Sequence, residues 1–169
     1  YQRKDPPVLV FDGEGKLLSS WGDGQLLDAH GIYITAKDEV FLVDRDAHEV
    51  LKFNTDGKVL MRIGTREKPS WQGPFNHPAD IAVALNGELY VADGYGNHRV
   101  HRFSAAGKLK VSWGSRGAGP GQFTTPHGIW VDGRFRVYVC DRENDRVQVF
   151  SAEGEYLAEW RGFFHPMDI

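Results

Sequence analysis

The sequence has 169 residues, of which 41% are hydrophobic and 25% are charged. It is therefore long enough for one globular domain and too apolar for a mainly disordered chain. Its net charge of −3 argues against nucleic-acid binding, which depends on Lys and Arg, and no apolar run of about 18 residues is present to cross a membrane. A single cysteine excludes an internal disulfide, so secreted, periplasmic and cytoplasmic locations all stay open.

Short apolar runs rich in Val, Ile, Tyr and Phe alternate with Gly, Asn and Asp along the whole chain. Period-two alternation predicts strands, and four strands per repeat of about 40–50 residues is the pattern of a β-propeller blade. The strand-ending Asp44, Asp93 and Asp141 recur at nearly equal intervals and set the register of the repeats. We therefore predict an all-β propeller of four-stranded antiparallel blades, with almost no helix.

The predicted units follow one another in chain order. Residues 1–22 match only the last half of a blade, residues 30–64, 79–114 and 127–162 each match a full blade, and residues 165–169 match the start of another. The chain thus contains about 3.5–4 blades, which we expect to belong to a six-bladed ring, because a propeller removes its sheet edges by closing. We expect either further sequence or a second copy of the chain, as a homo-oligomer, to complete the ring.

The first strand of each blade lines the central channel, and the aspartate register places four residues at one level of it: His30, Ala79, His127 and Met167. Two histidines on alternate blades suit a metal site built from imidazoles. A histidine at the start of a strand is also commonly a structural hydrogen-bonding residue. The register alone leaves the metal-ligand and the structural interpretations of His30 and His127 equally open.

Polar side chains on the neighbouring loops are further candidates. Arg3, Tyr95 and Arg142 follow the ends of second strands and so lie at the same mouth as the two histidines. An arginine there suits a carboxylate, and a tyrosine beside a metal ion can act as a base. His77 and His165 are weaker metal-ligand candidates, because they lie two positions earlier in the register. The strand-ending aspartates themselves are interpreted as turn caps.

Four segments are more specific than the blade pattern, namely AHGIYI, DGYGNHRV, PGQFTTPHGI and CDRENDRVQVF. With the blade plan, they resemble NHL-repeat propellers and, more narrowly, the peptidyl-α-hydroxyglycine α-amidating lyase family, over nearly the whole chain. The resemblance implies a six-bladed propeller that uses zinc to cleave peptidyl-α-hydroxyglycine into a peptide amide and glyoxylate. The expected partner is therefore a peptide or small amide substrate.

The same resemblance assigns roles to individual residues. His30 and His127 correspond to two of the family's three zinc ligands, Tyr95 to its catalytic tyrosine, and Arg3 to its active-site arginine. The backbone carbonyl of Ile32 corresponds to a ligand of a structural calcium ion. The third zinc ligand of the family lies in a last blade that this sequence does not contain. We therefore expect the metal to be held weakly and the chain on its own to have little activity.

The implied mechanism combines these groups. Zinc would bind the substrate hydroxyl, Tyr95 would take the hydroxyl proton, and Arg3 would hold the glycine carboxylate. Animal members of the family carry a disulfide at positions that correspond to Asn76 and Gly96, so the resemblance implies no disulfide here.

Three alternatives come from other classes of function. A non-catalytic NHL propeller would bind a protein or peptide at the same mouth and would need no metal. An RNA-binding NHL domain is disfavoured by the acidic net charge. A calcium-dependent hydrolase or lactonase would need a ring of acidic and Asn ligands, where this ring offers His, Ala and His.

Overall fold

The computed structural model describes residues 6–169, so the predicted site residue Arg3 lies outside the described residues. In chain order the strands are β1 (Val8–Phe11), β2 (Leu17–Trp21), β3 (Ala29–Ile34), β4 (Val40–Asp44), β5 (Glu49–Phe53), β6 (Val59–Gly64), β7 (Asp80–Val83), β8 (Leu89–Asp93), β9 (Arg99–Phe103), β10 (Leu109–Trp113), β11 (Pro126–Val131), β12 (Val137–Asp141), β13 (Arg146–Phe150) and β14 (Tyr156–Arg161). A short 3₁₀ turn, Arg142–Asn144, follows β12. No helix among the described residues is long and apolar enough to span a membrane.

The strands form one two-stranded sheet and three four-stranded sheets. We call the β1–β2 pair the half-blade, and the sheets β3–β6, β7–β10 and β11–β14 blades 1, 2 and 3. Within every sheet, strands that follow one another in sequence pair antiparallel. The predicted fold class, an all-β propeller of four-stranded blades, is confirmed, and so is the number of blades.

The hydrophobic core lies between neighbouring blades. Ala82, Tyr90 and Val100 of blade 2 pack in one buried cluster with Ile129 and Phe150 of blade 3. A second cluster joins blades 1 and 2 in the same way, and a third joins the half-blade to blade 1. Because burial of apolar side chains is the main stabilising contribution, each blade is held by its neighbours. The first strands are consequently fixed relative to one another around the channel.

Tryptophan rings that lie on turn glycines also join neighbouring blades. A Cβ on Gly154 of blade 3 would lie 2.6 Å from the ring of Trp113 of blade 2, and one on Gly57 of blade 1 would lie 2.7 Å from the ring of Trp21. Both glycines have left-handed φ angles, +87° and +79°, so their backbone also disfavours any side chain. The corresponding tryptophan of blade 3, Trp160, is the penultimate residue of β14 and is 48% exposed.

A buried aspartate at the end of each second strand anchors the segment that leads into the first strand of the same blade. Asp44 accepts hydrogen bonds from the backbone N–H groups of Leu27 and Asp28, at 2.7 and 2.9 Å. Asp141 accepts one from the N–H of Thr124 at 2.9 Å, and the aspartate of blade 2 binds its own segment likewise. These bonds support the turn-cap interpretation, and they fix the backbone just before the two channel histidines.

Candidate functional site

Three blades bring three of the predicted site residues together at one mouth of the channel. His30 lies on β3 of blade 1, Tyr95 on the loop after β8 of blade 2, and His127 on β11 of blade 3. The Tyr95 hydroxyl oxygen is 3.1 Å from Nε2 of His30 and 2.9 Å from Nε2 of His127. The two imidazole centroids are 5.1 Å apart. Two residues from the same register level thus meet around a single phenol oxygen.

Backbone carbonyls of the following blade orient both imidazoles. Nδ1 of His30 donates to the carbonyl of Ala79 at 2.8 Å, and Nδ1 of His127 donates to the carbonyl of Met167 at 2.7 Å. A carbonyl only accepts, so each Nδ1 carries a proton, and in its neutral form each ring would present its Nε2 lone pair to the site. Burial lowers the pKa of His127, and the adjacent His30 and Arg142 act in the same direction. This ring is therefore held in its neutral, lone-pair-bearing form.

The cluster has more lone pairs than protons. The Tyr95 hydroxyl has one proton and can donate it to only one of the two Nε2 atoms. Two neutral imidazoles whose lone pairs converge are a donor set that suits Zn²⁺, so His30 and His127 fit part of a zinc site. Within residues 6–169, however, no group of three or more His, Cys, Asp or Glu side chains is placed to hold a metal ion. Among these residues, His30 and His127 are therefore the two candidate ligands at this mouth.

Two arginines from the flanking blades lie against the Tyr95 ring. The guanidinium carbons of Arg45 of blade 1 and Arg142 of blade 3 are 5.5 and 5.3 Å from the ring centroid. Nη1 of Arg142 also donates to the Tyr95 hydroxyl at 3.3 Å. The sequence prediction placed Arg142 at this mouth but missed Arg45. The sequence position of Arg45 could have predicted its place, because Arg45 and Arg142 each directly follow the aspartate that ends a second strand.

A cavity of about 380 Å³ opens beside the histidines, and its wall includes His30, Ile32, Asp80 and His127. Ile32, the predicted calcium ligand, lies on β3 with 56% of its surface exposed. Burial raises the pKa of Asp80 to about 6, and the nearby Asp168 acts in the same direction. Asp80 was not among the residues predicted for the site, although it directly follows Ala79, the register residue of blade 2.

The weaker metal-ligand candidates, His77 and His165, lie away from the cluster of His30, Tyr95 and His127. The backbone N–H of His77 donates to Nδ1 of His48, and Nδ1 of His77 donates to the side-chain oxygen of Asn76. Nε2 of His165 lies 3.8 Å from Oε2 of Glu143, and 45% of the His165 side chain is exposed. Among the described contacts, neither His77 nor His165 reaches the Tyr95 hydroxyl with its ring.

The positions that correspond to a disulfide in animal lyases lie side by side. The N–H of Gly96 donates to the carbonyl of Asn76 at 3.0 Å, and a Cβ on Gly96 would lie 2.3 Å from the Asn76 side chain. The asparagine side chain therefore fills the space beside the Tyr95 loop.

Comparison with known proteins identifies the repeat. The family model for the NHL repeat matches residues 75–103 and 123–150. The chain is 34% identical over 179 residues to mouse NHL repeat-containing protein 3, covering 96% of this chain and 51% of that protein. It is 34% identical over 150 residues to a probable peptidyl-alpha-hydroxyglycine alpha-amidating lyase of Caenorhabditis elegans, covering 86% of this chain and 43% of that protein. The chain thus spans about half the length of these relatives.

Solved structures show the same fold at lower identity. The virginiamycin B lyase of Staphylococcus aureus matches with a TM-score of 0.67 and 13% identity, covering 94% of this chain and 50% of that one. A gluconolactonase of Xanthomonas campestris matches with a TM-score of 0.71 and 18% identity, covering 94% and 56%. At these identities the likeness concerns the fold alone.

Proposed function

We propose that this chain is a propeller of the lyase type, because it carries NHL repeats and has peptidyl-α-hydroxyglycine α-amidating lyases among its relatives. Its substrate would be a peptidyl-α-hydroxyglycine, cleaved to a peptide amide and glyoxylate. The observation that carries the proposal is the convergence of His30 Nε2 and His127 Nε2 on the Tyr95 hydroxyl, at 3.1 and 2.9 Å. Three blades contribute one side chain each to this arrangement.

His30 and His127 are the residues that would hold zinc, each through Nε2. The ion would supply Lewis acidity toward the substrate hydroxyl. The carbonyls of Ala79 and Met167 support this role, because they keep the proton on Nδ1 of both rings. Such outer hydrogen bonds typically orient the imidazole of a metal-binding histidine.

Tyr95 would act as the proton acceptor. In its phenolate form it would remove the proton of the substrate hydroxyl, the C–O bond would become the C=O of glyoxylate, and the C–N bond would break. The electron pair of that bond passes to the amide nitrogen, which takes up the proton. Arg142 donates to the Tyr95 hydroxyl at 3.3 Å and would stabilise negative charge on that oxygen. Arg3 stays the predicted partner of the substrate carboxylate.

The test measures glyoxylate release from a peptide that ends in α-hydroxyglycine, with zinc added at known stoichiometry. Because two of the family's three zinc ligands are present, we expect slow release by the unaltered chain at saturating zinc, and a further loss of about 10²–10⁴-fold in Tyr95→Phe, the usual contribution of a positioned base. Tyr90→Phe is the matched control, since the Tyr90 hydroxyl is buried in the same blade without a hydrogen-bond partner. Full activity of Tyr95→Phe, or no release by the unaltered chain, would contradict the proposal.

The alternative is a non-catalytic NHL propeller that binds a protein or peptide at this mouth. It is favoured by one observation, that the described residues supply two converging imidazoles and no third metal-binding side chain. Zinc analysis separates the two functions. Zinc bound near stoichiometry and lost in His127→Ala supports the lyase, whereas peptide binding without zinc supports the alternative.

A further inference from the structure

Arg45 pairs with two carboxylates. Its Nη2 lies 2.9 Å from Oδ2 of Asp28, and its Nε lies 2.9 Å from Oδ1 of Asp46. Its backbone N–H also donates to the carbonyl of Asp28 at 3.0 Å. Since two acids flank the guanidinium, its charge is already compensated, and it is poorly suited to hold a substrate carboxylate. The two pairs instead restrain its position.

The partners of Arg45 link it to both halves of the candidate site. Asp28 lies two residues before His30, and its own N–H is bound by Asp44. On the other side, the Arg45 guanidinium lies 5.5 Å from the centroid of the Tyr95 ring. A guanidinium at this distance from an aromatic ring attracts its π-electrons and limits its movement. One side chain thus connects the His30 segment of blade 1 to the Tyr95 ring of blade 2.

We infer that Arg45 is a positioning residue that fixes the Tyr95 ring so that its hydroxyl stays between the two imidazoles. The inference rests on the proposed function for its kinetic consequence and on the structure alone for its effect on the ring. Arg45 acts through Tyr95 and does not contact the substrate.

Arg142 differs from Arg45 in a way that separates their roles. It pairs with one acid, Glu143, at 2.8 Å, and its Nη1 reaches the Tyr95 hydroxyl itself. Arg142 is therefore placed to act on the reacting oxygen, whereas Arg45 contacts only the ring. Removing Arg45 should consequently change the orientation of Tyr95 and leave substrate binding largely intact.

The experiment replaces Arg45 with Gln and follows Tyr95 by fluorine NMR of protein labelled with 3-fluorotyrosine. Tyr95→Phe assigns the resonance among those of the six tyrosines. We expect Arg45→Gln to shift or broaden the Tyr95 resonance and to lower kcat about 10–100-fold, with KM changed less than twofold. Arg45→Lys keeps a cation and should restore part of kcat.

Arg136→Gln is the matched control. Arg136 pairs with Asp132 at 2.7 Å and lies 5.7 Å from the Tyr138 ring, which is the same kind of arrangement at the opposite end of blade 3. It should leave the Tyr95 resonance and kcat unchanged. If Arg45→Gln also leaves the Tyr95 resonance and kcat unchanged, the inference is overturned. If the unaltered chain releases no glyoxylate, the proposed function fails, and the Tyr95 resonance still decides the role of Arg45. If Arg45→Gln does not fold, Asp46→Asn tests the same anchor and is expected to broaden the resonance.

Discussion

Blades 2 and 3 both end their second strand with a fully buried aspartate, but different side chains satisfy it. Asp93 of blade 2 accepts from Nε2 of His101 at 3.0 Å, while Asp141 of blade 3 accepts from Nε of Arg146 at 2.9 Å. Both aspartates also bind the backbone segment before the first strand and accept from an asparagine side chain, Asn97 at 2.7 Å in blade 2 and Asn144 at 2.8 Å in blade 3. The two blades therefore share the acid, its backbone partner and an asparagine donor, whereas the donor from the third strand varies as long as the buried carboxylate is satisfied.

The largest expected effect comes from removing the charged donor of blade 3. Arg146 is 1% exposed and binds Asp141, Glu159 and two backbone carbonyls. Arg146→Leu leaves a buried carboxylate without its counter-charge, so we expect the free energy of unfolding in urea to fall by about 3–5 kcal/mol. Arg161→Leu is the control, because Arg161 pairs with the same Glu159 while exposed, and it should cost less than about 1 kcal/mol. Similar losses in both variants would show that Asp141 does not depend on Arg146.

The junction between the two blades gives the next prediction. Gly154→Ala would place a Cβ 2.6 Å from the Trp113 ring, in addition to its cost at φ +87°. Gly15 of the half-blade occupies the same turn position at φ +83°, but a Cβ there would meet nothing within 4 Å. We expect Gly15→Ala to cost about 1–2 kcal/mol for the left-handed backbone and Gly154→Ala about 1–3 kcal/mol more, for the clash. Equal thermal unfolding midpoints for the two variants would mean that the tryptophan moves aside freely.

The sequence predicted the blades well because each blade is built from strands that follow one another in the chain. Strand alternation and the spacing of Asp44, Asp93 and Asp141 fix which residues face the channel, and the structure places His30 and His127 as that register requires. The orientation of their rings was not predictable in this way. It depends on carbonyls of the next blade, whose distance is set by packing between sheets.

Arg45 shows the same limit. Its place after a strand-ending aspartate could be read from the sequence, but its contact with the Tyr95 ring arises from the approach of two loops on different blades. The side-chain donors of the buried aspartates were missed for a related reason, since Leu51, His101 and Gln148 occupy one position of the repeat and share no chemistry.

A smaller effect should follow from exchanging the donor of blade 2 for those of its neighbours. His101→Gln copies blade 3, where Gln148 donates to Asp141 at 3.2 Å, and should cost less than about 1 kcal/mol. His101→Leu copies blade 1, where Leu51 has no donor and Asp44 accepts instead from the backbone N–H of Ala47. In blade 2 the leucine would leave Asp93 without the hydrogen bond from His101. We expect a loss of about 1–3 kcal/mol in urea unfolding for the leucine variant. The reverse order would mean that packing around the imidazole, and not its hydrogen bond, stabilises blade 2.

The first strands supply the last comparison, because Asp80 of blade 2 takes the position that Gly128 holds in blade 3. Burial raises the pKa of Asp80 to about 6, from an ordinary value of 3.8. The protonated form is thus favoured in the folded state, so the stabilising contribution of Asp80 is complete below pH 3.8 and is lost as the pH rises through about 6.

Asp80→Asn keeps the size of the side chain and removes this titration. Its free energy of unfolding should be close to that of the unaltered chain at pH 4 and should exceed it by about 2 kcal/mol at pH 8. Urea unfolding of both proteins across this range measures the difference, and other titrating groups cancel because they are common to the two. A difference that does not change with pH would mean that the Asp80 carboxylate is ionised throughout, stabilised by the N–H of Ile129 at 3.0 Å.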